Sequence, residues 1–276
     1  MSRPRAGVRP RLVTLSSDVG SAYTAQMKAV LARSLDSGRV VDLANDLPAH
    51  SVEEAAFLVR AMAIGFPSGT VHVVVVDPGV GGRRLSIAID CRDGSRLVGP
   101  DNGVLYPLAS ELGVRGAYRI ETERLHRGRA RVGTTFDGRD VFAPAAASLA
   151  EGLAPSALGR KVAPHELRIP EAHRRREGAS GHVVHVDHFG NLVTNVPTDW
   201  IPAGTRRIKA RIGHGPTRTL PFVTSYESLG RHRVGGLGSS FGTVELAVAL
   251  GRASGRLGAG AGSPVDFRWR RAPRVG

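Results

Sequence analysis

The hydrophobic pattern of this chain changes its grammar once, and that change limits what it can fold into. Up to about residue 152, short apolar runs alternate with segments of helical period. LVTLSS at 12–17 leads into a helix with Tyr23, Met27, Val30 and Leu31 at helical spacing. VVDLAN at 40–45 precedes a helix over 52–65, opened by Ser51 and Glu54 in capping-box spacing. Further strands follow at 70–76, 85–90, 96–103 and 117–120, with helices at 104–112 and from Arg139 to Gly152. This alternation predicts an α/β domain, a mainly parallel sheet with flanking helices. Residues 153–180 hold Pro155, Pro164, Pro170 and the run Arg174–Arg176, with little periodicity, and read as a linker. Beyond them HVVHV, LVTNV, RRIKARI, TLPFV and VELAVAL are short and β-rich, separated by Gly, Pro and Asn turns. They predict a smaller all-β domain, a sandwich or barrel-like fold. The expected division is 12–165 and 180–270, with basic tails at 1–11 and 271–276.

The formal charge of +14 is an arginine effect, since only Lys28, Lys161 and Lys209 are lysines. Much of it sits in the tails, the linker and the 124–131 stretch. Such runs form solvated faces and give salt-sensitive affinity for polyanions. A nucleic-acid binder would interleave clustered cations with aromatic platforms, and the aromatic fraction is 5%, so no specific nucleic acid is expected. Cys91 is the only cysteine, which rules out an intrachain disulfide framework, and it reads as a buried core thiol. No run approaches the ~18 apolar residues of a membrane span, and the basic N-terminus lacks the apolar core of a signal peptide. A soluble, cytoplasmic protein is expected, with no membrane partner.

Chemistry concentrates where strands end. The β-branched run to Val76 stops at Asp77, and Pro78, Gly79, Gly81 and Gly82 then force a bare turn before Arg84. In open α/β sheets ligands bind outside the carboxyl ends of the strands. Arg84 folding back on Asp77 therefore reads either as a loop-closing ion pair or as part of a site. SSDVG (16–20), GPDNG (99–103) and TTFDGRD (134–140) also lie at or near strand ends, so Asp18, Asp77, Asp101, Asn102 and Asp137 are placed to converge on one rim. A strand-end carboxylate suits a ribose diol, accepting from both hydroxyls. In VDHFGNLVTN, Phe189 is a candidate to stack on a base and Asn191 to read its edge. The competing reading is a hairpin turn with Phe189 in the core. His182, His185 and His188 alternate faces in a strand, so no metal site is expected. GLGSSFGTVE lacks the strand and helix a phosphate loop needs, and no G-x-S-x-G elbow is present.

The blocks TLSSDVG, DLANDLP, VVVVDPGVGGRR, LVGPDNGVL, TTFDGRDVFAPAAASLA, VDHFGNLVTNV and GSSFGTVELAVALG, in that order from about residue 12 to 254, resemble the S-adenosylmethionine (SAM) hydroxide adenosyltransferases. These are adenosine-forming SAM hydrolases related to SAM-dependent fluorinases and chlorinases. The resemblance implies an N-terminal α/β domain, a C-terminal barrel-like domain, and a homotrimer with SAM bound between neighbouring subunits. SAM is then the substrate and no cofactor or metal is implied. Asp18 matches the ribose-binding aspartate. Asp77 and Arg84 match two members of an Asp-Arg-His set that orients water. Asp187, Phe189, Asn191, Ser240, Glu245 and Val248 fall where the second domain grips adenine and methionine. The related halogenases carry Tyr and Thr where Asp77 and Val80 stand, so the resemblance implies hydrolysis rather than halogenation.

The chain departs from the family pattern at three positions. Asp137 replaces the histidine of the water-orienting set, Asn45 replaces a second histidine, and Ala249 replaces an asparagine. Either Asp137 takes over as an acceptor held by Arg84 or Arg139, in a two-carboxylate site, or the chain is a diverged SAM or adenosine binder with weak or no turnover.

Overall fold

The computed structural model describes residues 12–35, 38–126, 133 and 135–269, and the chain divides between Ile169 and Pro170 into two compact units. The basic tails at 1–11 and 271–276 and most of the 124–131 stretch lie outside the described residues.

The first unit runs β1 (Leu12–Ser17), α1 (Gly20–Ser34), β2 (Arg39–Ala44), α2 (Val52–Ala63), β3 (Val71–Val75), β4 (Ser86–Cys91), β5 (Arg96–Pro100), α3 (Tyr106–Leu112), β6 (Val114–Arg119), α4 (Thr122–His126), α5 (Ala143–Ala150) and β7 (Lys161–Val162). A five-residue π-helical turn, Gly138–Phe142, leads into α5. The sheet has the order β2-β1-β3-β5-β4-β6-β7. From β2 to β5 it is parallel; β4 is antiparallel to both β5 and β6, and β6 to β7. The parallel character is thus confined to one half. Only the short segment 92–95 joins β4 to β5, too little chain for a parallel crossover, so a hairpin forms.

β3 is buried at every position, as its unbroken valine-rich sequence requires. Val73 packs in one core with Leu15, Met27, Leu31 and Phe142. Ser51 occupies the N-cap of α2 where the capping-box spacing places it, but its side chain makes no cap hydrogen bond. Ala55 N–H donates to the Ser51 carbonyl at 3.0 Å, closing the first turn. Cys91 is fully buried, as expected, and burial pushes its thiol up to about 12, making it an inert core group.

The second unit is antiparallel throughout its ladders: β8 (His173–Arg175), β9 (Gly178–Val186), β10 (Leu192–Pro197), β11 (Arg207–Ile212), β12 (Arg218–Pro221), β13 (Val234–Gly238), β14 (Thr243–Val248) and β15 (Pro264–Arg268), with one short helix, α6 (Ala253–Leu257). The order is β12-β11-β15-β9-β10-β14-β13, with β8 beside β9. Just after β12, Val223 N–H donates to Gly236 on β13 at 2.9 Å, drawing the two edges together into a nearly closed barrel. Closure hides edges that would otherwise pair with other chains. β11 alternates exposed and buried residues along its length, turning Ile208, Ala210 and Ile212 to the core. Among the described residues, no helix is long and apolar enough to cross a membrane.

Candidate active site

In the first unit, β1 and β3 are parallel neighbours, and their carboxyl ends deliver Asp18 and Asp77 to the same rim. Asp18 is tied to that rim by its own N–H, which donates to the Val75 carbonyl at 3.2 Å. Its Oδ2 accepts the backbone N–H of His50 at 3.0 Å. After Asp77 the chain reverses within a few residues: Val80 N–H donates to the Asp77 carbonyl at 3.2 Å and Gly82 N–H to Gly79 at 3.0 Å. Glycine is required at position 81, where φ is +76°.

That reversal returns Arg84 to Asp77. Arg84 Nε donates to Asp77 Oδ1 at 2.9 Å while Nη2 reaches Asp77 Oδ2, a two-pronged grip on one carboxylate. Nη2 also donates to Asp137 Oδ2 at 2.5 Å, and Nη1 to Ser86 Oγ at 2.8 Å. The guanidinium lies 5.6 Å from the centroid of the Phe142 ring, within cation–π range. All three charged side chains are largely buried, at 6% exposure for Asp77, 8% for Asp137 and 13% for Arg84. Burial alone pulls the Arg84 pKa down; its hydrogen bonds to Asp77 and Asp137 overcome that and hold it above its ordinary value.

Asp137 stands at the start of the π-helical turn, a widened helical geometry that recurs at functional sites. The expectation left its partner open between Arg84 and Arg139. Arg84 holds it. Arg139 instead grips Asp140, at 2.7 and 3.0 Å, and reaches Gln26 on α1 at 2.9 Å. Asp18, Asp77 and Asp137 line one cavity of about 470 Å³, together with Tyr23, His50 and Phe136. Tyr23 meets Phe136 edge-on at 5.2 Å.

The other two residues of the expected rim lie outside this cavity's lining. Asp101 accepts the His165 backbone N–H at 2.7 Å, a structural role. Asn102 donates to the Val76 carbonyl at 2.9 Å and so braces the residue before Asp77. His50 escaped sequence reasoning because no periodicity marks a short loop. Ser86 was findable: two residues beyond Arg84 in extended chain, it lies on the same side as the arginine.

The second unit presents its own group of polar side chains. Asp187 and Asn191 close a tight turn: Asn191 N–H donates to Asp187 Oδ1 at 2.8 Å and Nδ2 to Oδ2 at 2.9 Å. An Asn191 donor expected to read a base edge is therefore engaged in holding Asp187. Phe189, at the tip, is 71% exposed, which removes the core reading of that ring. Glu245 is buried on β14 and accepts the Tyr226 hydroxyl at 2.7 Å. Burial raises its carboxyl above the ordinary value, the Tyr226 hydrogen bond opposes that, and the nearby Asp187 adds to the rise. Val248 is buried at the end of β14, and Ser240 is exposed in the turn before it. His182, His185 and His188 lie on or just past β9, and among the described residues no group of three or more His, Cys, Asp or Glu could hold a metal ion.

Residues 13–159 match the SAM hydroxide adenosyltransferase N-terminal domain and residues 181–266 its C-terminal domain. The chain belongs to the SAM hydroxide adenosyltransferase family. It is 40% identical over 268 residues to the (R)-S-adenosyl-L-methionine hydrolase of Thermus thermophilus, covering 92% of this chain and 98% of that one. A fluorinase from Actinopolyspora mzabensis is 28% identical over 217 residues, covering 68% of this chain and 72% of its own. The crystal structure of an uncharacterized conserved protein from Thermotoga maritima superposes with a TM-score of 0.83 at 30% identity, covering 93% of this chain and 99% of that one. The Thermotoga structure thus covers both the alternating first half and the all-β second half of this chain.

Proposed function

We propose that this protein hydrolyses S-adenosyl-L-methionine to adenosine and L-methionine, with Asp77 aligning the attacking water. The observation that carries the proposal is the grip of Arg84 on Asp77 and Asp137 at the wall of the cavity that also holds Asp18. Two carboxylates and one guanidinium carry a formal charge of −1, which suits a sulfonium cation and repels a halide. At an effective dielectric of about 20, one unit charge ~4 Å from another is worth about 4 kcal/mol.

The step is an in-line displacement. A water oxygen bonds to C5′ of the ribose as the C5′–S bond breaks; the bonding pair leaves with sulfur, which becomes the neutral thioether of methionine. The water proton passes to Asp77 and on to solvent. Positive charge therefore moves from sulfur to the water oxygen during the step. A carboxylate beside that oxygen stabilises the transition state more than the bound substrate, which is the condition for catalysis. Sulfur is already a good leaving group, so no general acid and no metal is needed. Asp18 holds the ribose diol and thereby fixes C5′ against the water.

The division of labour follows the two halves. Residues 12–165 align the water, and 180–270 contact adenine and methionine through Phe189, Asp187, Asn191, Ser240, Glu245 and the Val248 backbone. The assembly proposed is a homotrimer, each site completed by a neighbouring subunit, in the cytoplasm. Family resemblance supports the trimer, and a lone reduced cysteine supports the compartment. The Thermus relative is named for the (R) sulfonium epimer, so (R)-SAM is the epimer to test first. Incubation of the protein with each epimer in chloride and fluoride buffers, followed by product separation, is the test. Adenosine with methionine supports hydrolysis; 5′-halo-adenosine identifies a halogenase, and binding without product a diverged SAM binder.

A further inference from the structure

A groove of about 950 Å³ lies on the second unit, at the Gly178 end of β9, whose other end leads to Asp187. Arg175, Arg176, Arg206, Arg207, Lys209 and Arg268 line it, against one acidic residue, Glu177. The placement follows from strand geometry. Arg207 and Lys209 are two apart on β11 and both exposed, so they project from one face about 6.8 Å apart. Across the ladder, Lys209 stands directly opposite Arg268 on β15. Like charges in that position destabilise a sheet unless an anion lies over them.

The protein supplies little counter-charge of its own. Asp266 accepts from Arg175 at 2.5 Å and from Arg268 at 3.3 Å, so one carboxylate serves two arginines. Among the described residues, Arg176, Arg206, Arg207 and Lys209 form no ion pair. Thr219 adds a hydroxyl to the wall. The one aromatic residue lining the groove, Trp269, is 5% exposed and offers no platform for a base. Single-stranded nucleic acid is held by stacking as well as charge, and this groove provides charge alone.

We propose that this groove binds a linear oligophosphate, an inorganic polyphosphate chain read by charge without base recognition. The proposal is independent of the hydrolase site. It is tested on the full chain by calorimetric titration with inorganic polyphosphate at several salt concentrations, in parallel with an oligothymidylate of equal charge. Arg207→Ser with Lys209→Ser should weaken polyphosphate binding by about tenfold or more at low salt and flatten the log affinity against log salt slope by about two. Arg176→Ser, in the turn between β8 and β9, should move both in the same direction. The charge-matched variant Arg33→Ser with Arg39→Ser, on exposed positions of the first unit, should bind like the wild type. Melting temperature and SAM turnover report that each variant is folded. An equal loss in the charge-matched variant, tighter binding of the oligothymidylate, or no binding by the wild type at low salt each overturns the proposal.

Discussion

Asp77 and Asp137 share one guanidinium nitrogen, Nη2 of Arg84, although one follows β3 and the other opens the turn into α5. Two anions on one nitrogen need a cation there. Arg84 is that cation, and its remaining donors fix Asp77 Oδ1 and Ser86. The three residues form one unit, so their substitutions will not be additive.

Asp77→Asn keeps the volume and one acceptor oxygen but cannot take a proton. Turnover should fall by about 10²–10⁴-fold, the usual contribution of a positioned base. KM should change far less. Steady-state assay of adenosine release separates the two.

Asp137→His introduces the histidine that the family resemblance implies at this position and removes the second anion on Arg84. Activity should fall rather than rise, because the guanidinium loses a buried charge-assisted partner at 2.5 Å. A gain in kcat would mean that Asp137 is no adapted part of this site.

Arg84→Met leaves two largely buried carboxylates without their cation. Breaking such a pair costs about 3–5 kcal/mol, and denaturant unfolding at neutral pH should show a loss of that order. Arg84→Lys should retain more stability and still lose turnover, since an ammonium cannot grip both oxygens of Asp77 while reaching Asp137 and Ser86.

Phe189→Ala tests the proposed base contact in the second unit. The ring is exposed, so stability should shift by no more than about 0.5 kcal/mol. Loss of a stacked base is worth about 1–3 kcal/mol, which predicts a rise in KM for SAM of about 5- to 150-fold.

His72 sets an acid limit on the fold. It is buried on β3, bonded to Thr14 at 2.8 Å, and burial lowers its pKa from 6.5 to about 4. A base whose folded pKa is depressed contributes stability above its unfolded value and loses it as pH falls. The window therefore runs from 6.5 down to about 4, with up to about 3 kcal/mol lost across it. Urea unfolding between those values should show this slope in the wild type and a shallower one in His72→Asn.

How much of this was legible depends on the range of each interaction. The Asp77–Arg84 pair was readable because a glycine turn joins the two ends locally. The alternating pattern likewise placed β1, β3 and their terminal aspartates. The partner of Asp137 was not readable, since both Arg84 and Arg139 were open to it; Arg139 instead binds its own neighbour Asp140 and, through the packing of α1, Gln26. Strand direction was half readable: local pattern marks a strand, but the length of its connection decided that β4 would pair antiparallel. The Tyr226–Glu245 bond joins a turn to a distant strand, and no local spacing announces it. The cations beside Lys209 were scattered in sequence and gathered only when β11 paired with β15.

The central claim is attack of water on C5′ under the control of Asp77, and turnover of (R)-SAM in ¹⁸O-labelled water tests it most directly. One ¹⁸O is expected in the 5′-hydroxyl of adenosine, none in methionine, and the labelled product is lost in Asp77→Asn. Label in methionine, or labelled adenosine formed at an undiminished rate by Asp77→Asn, would contradict it.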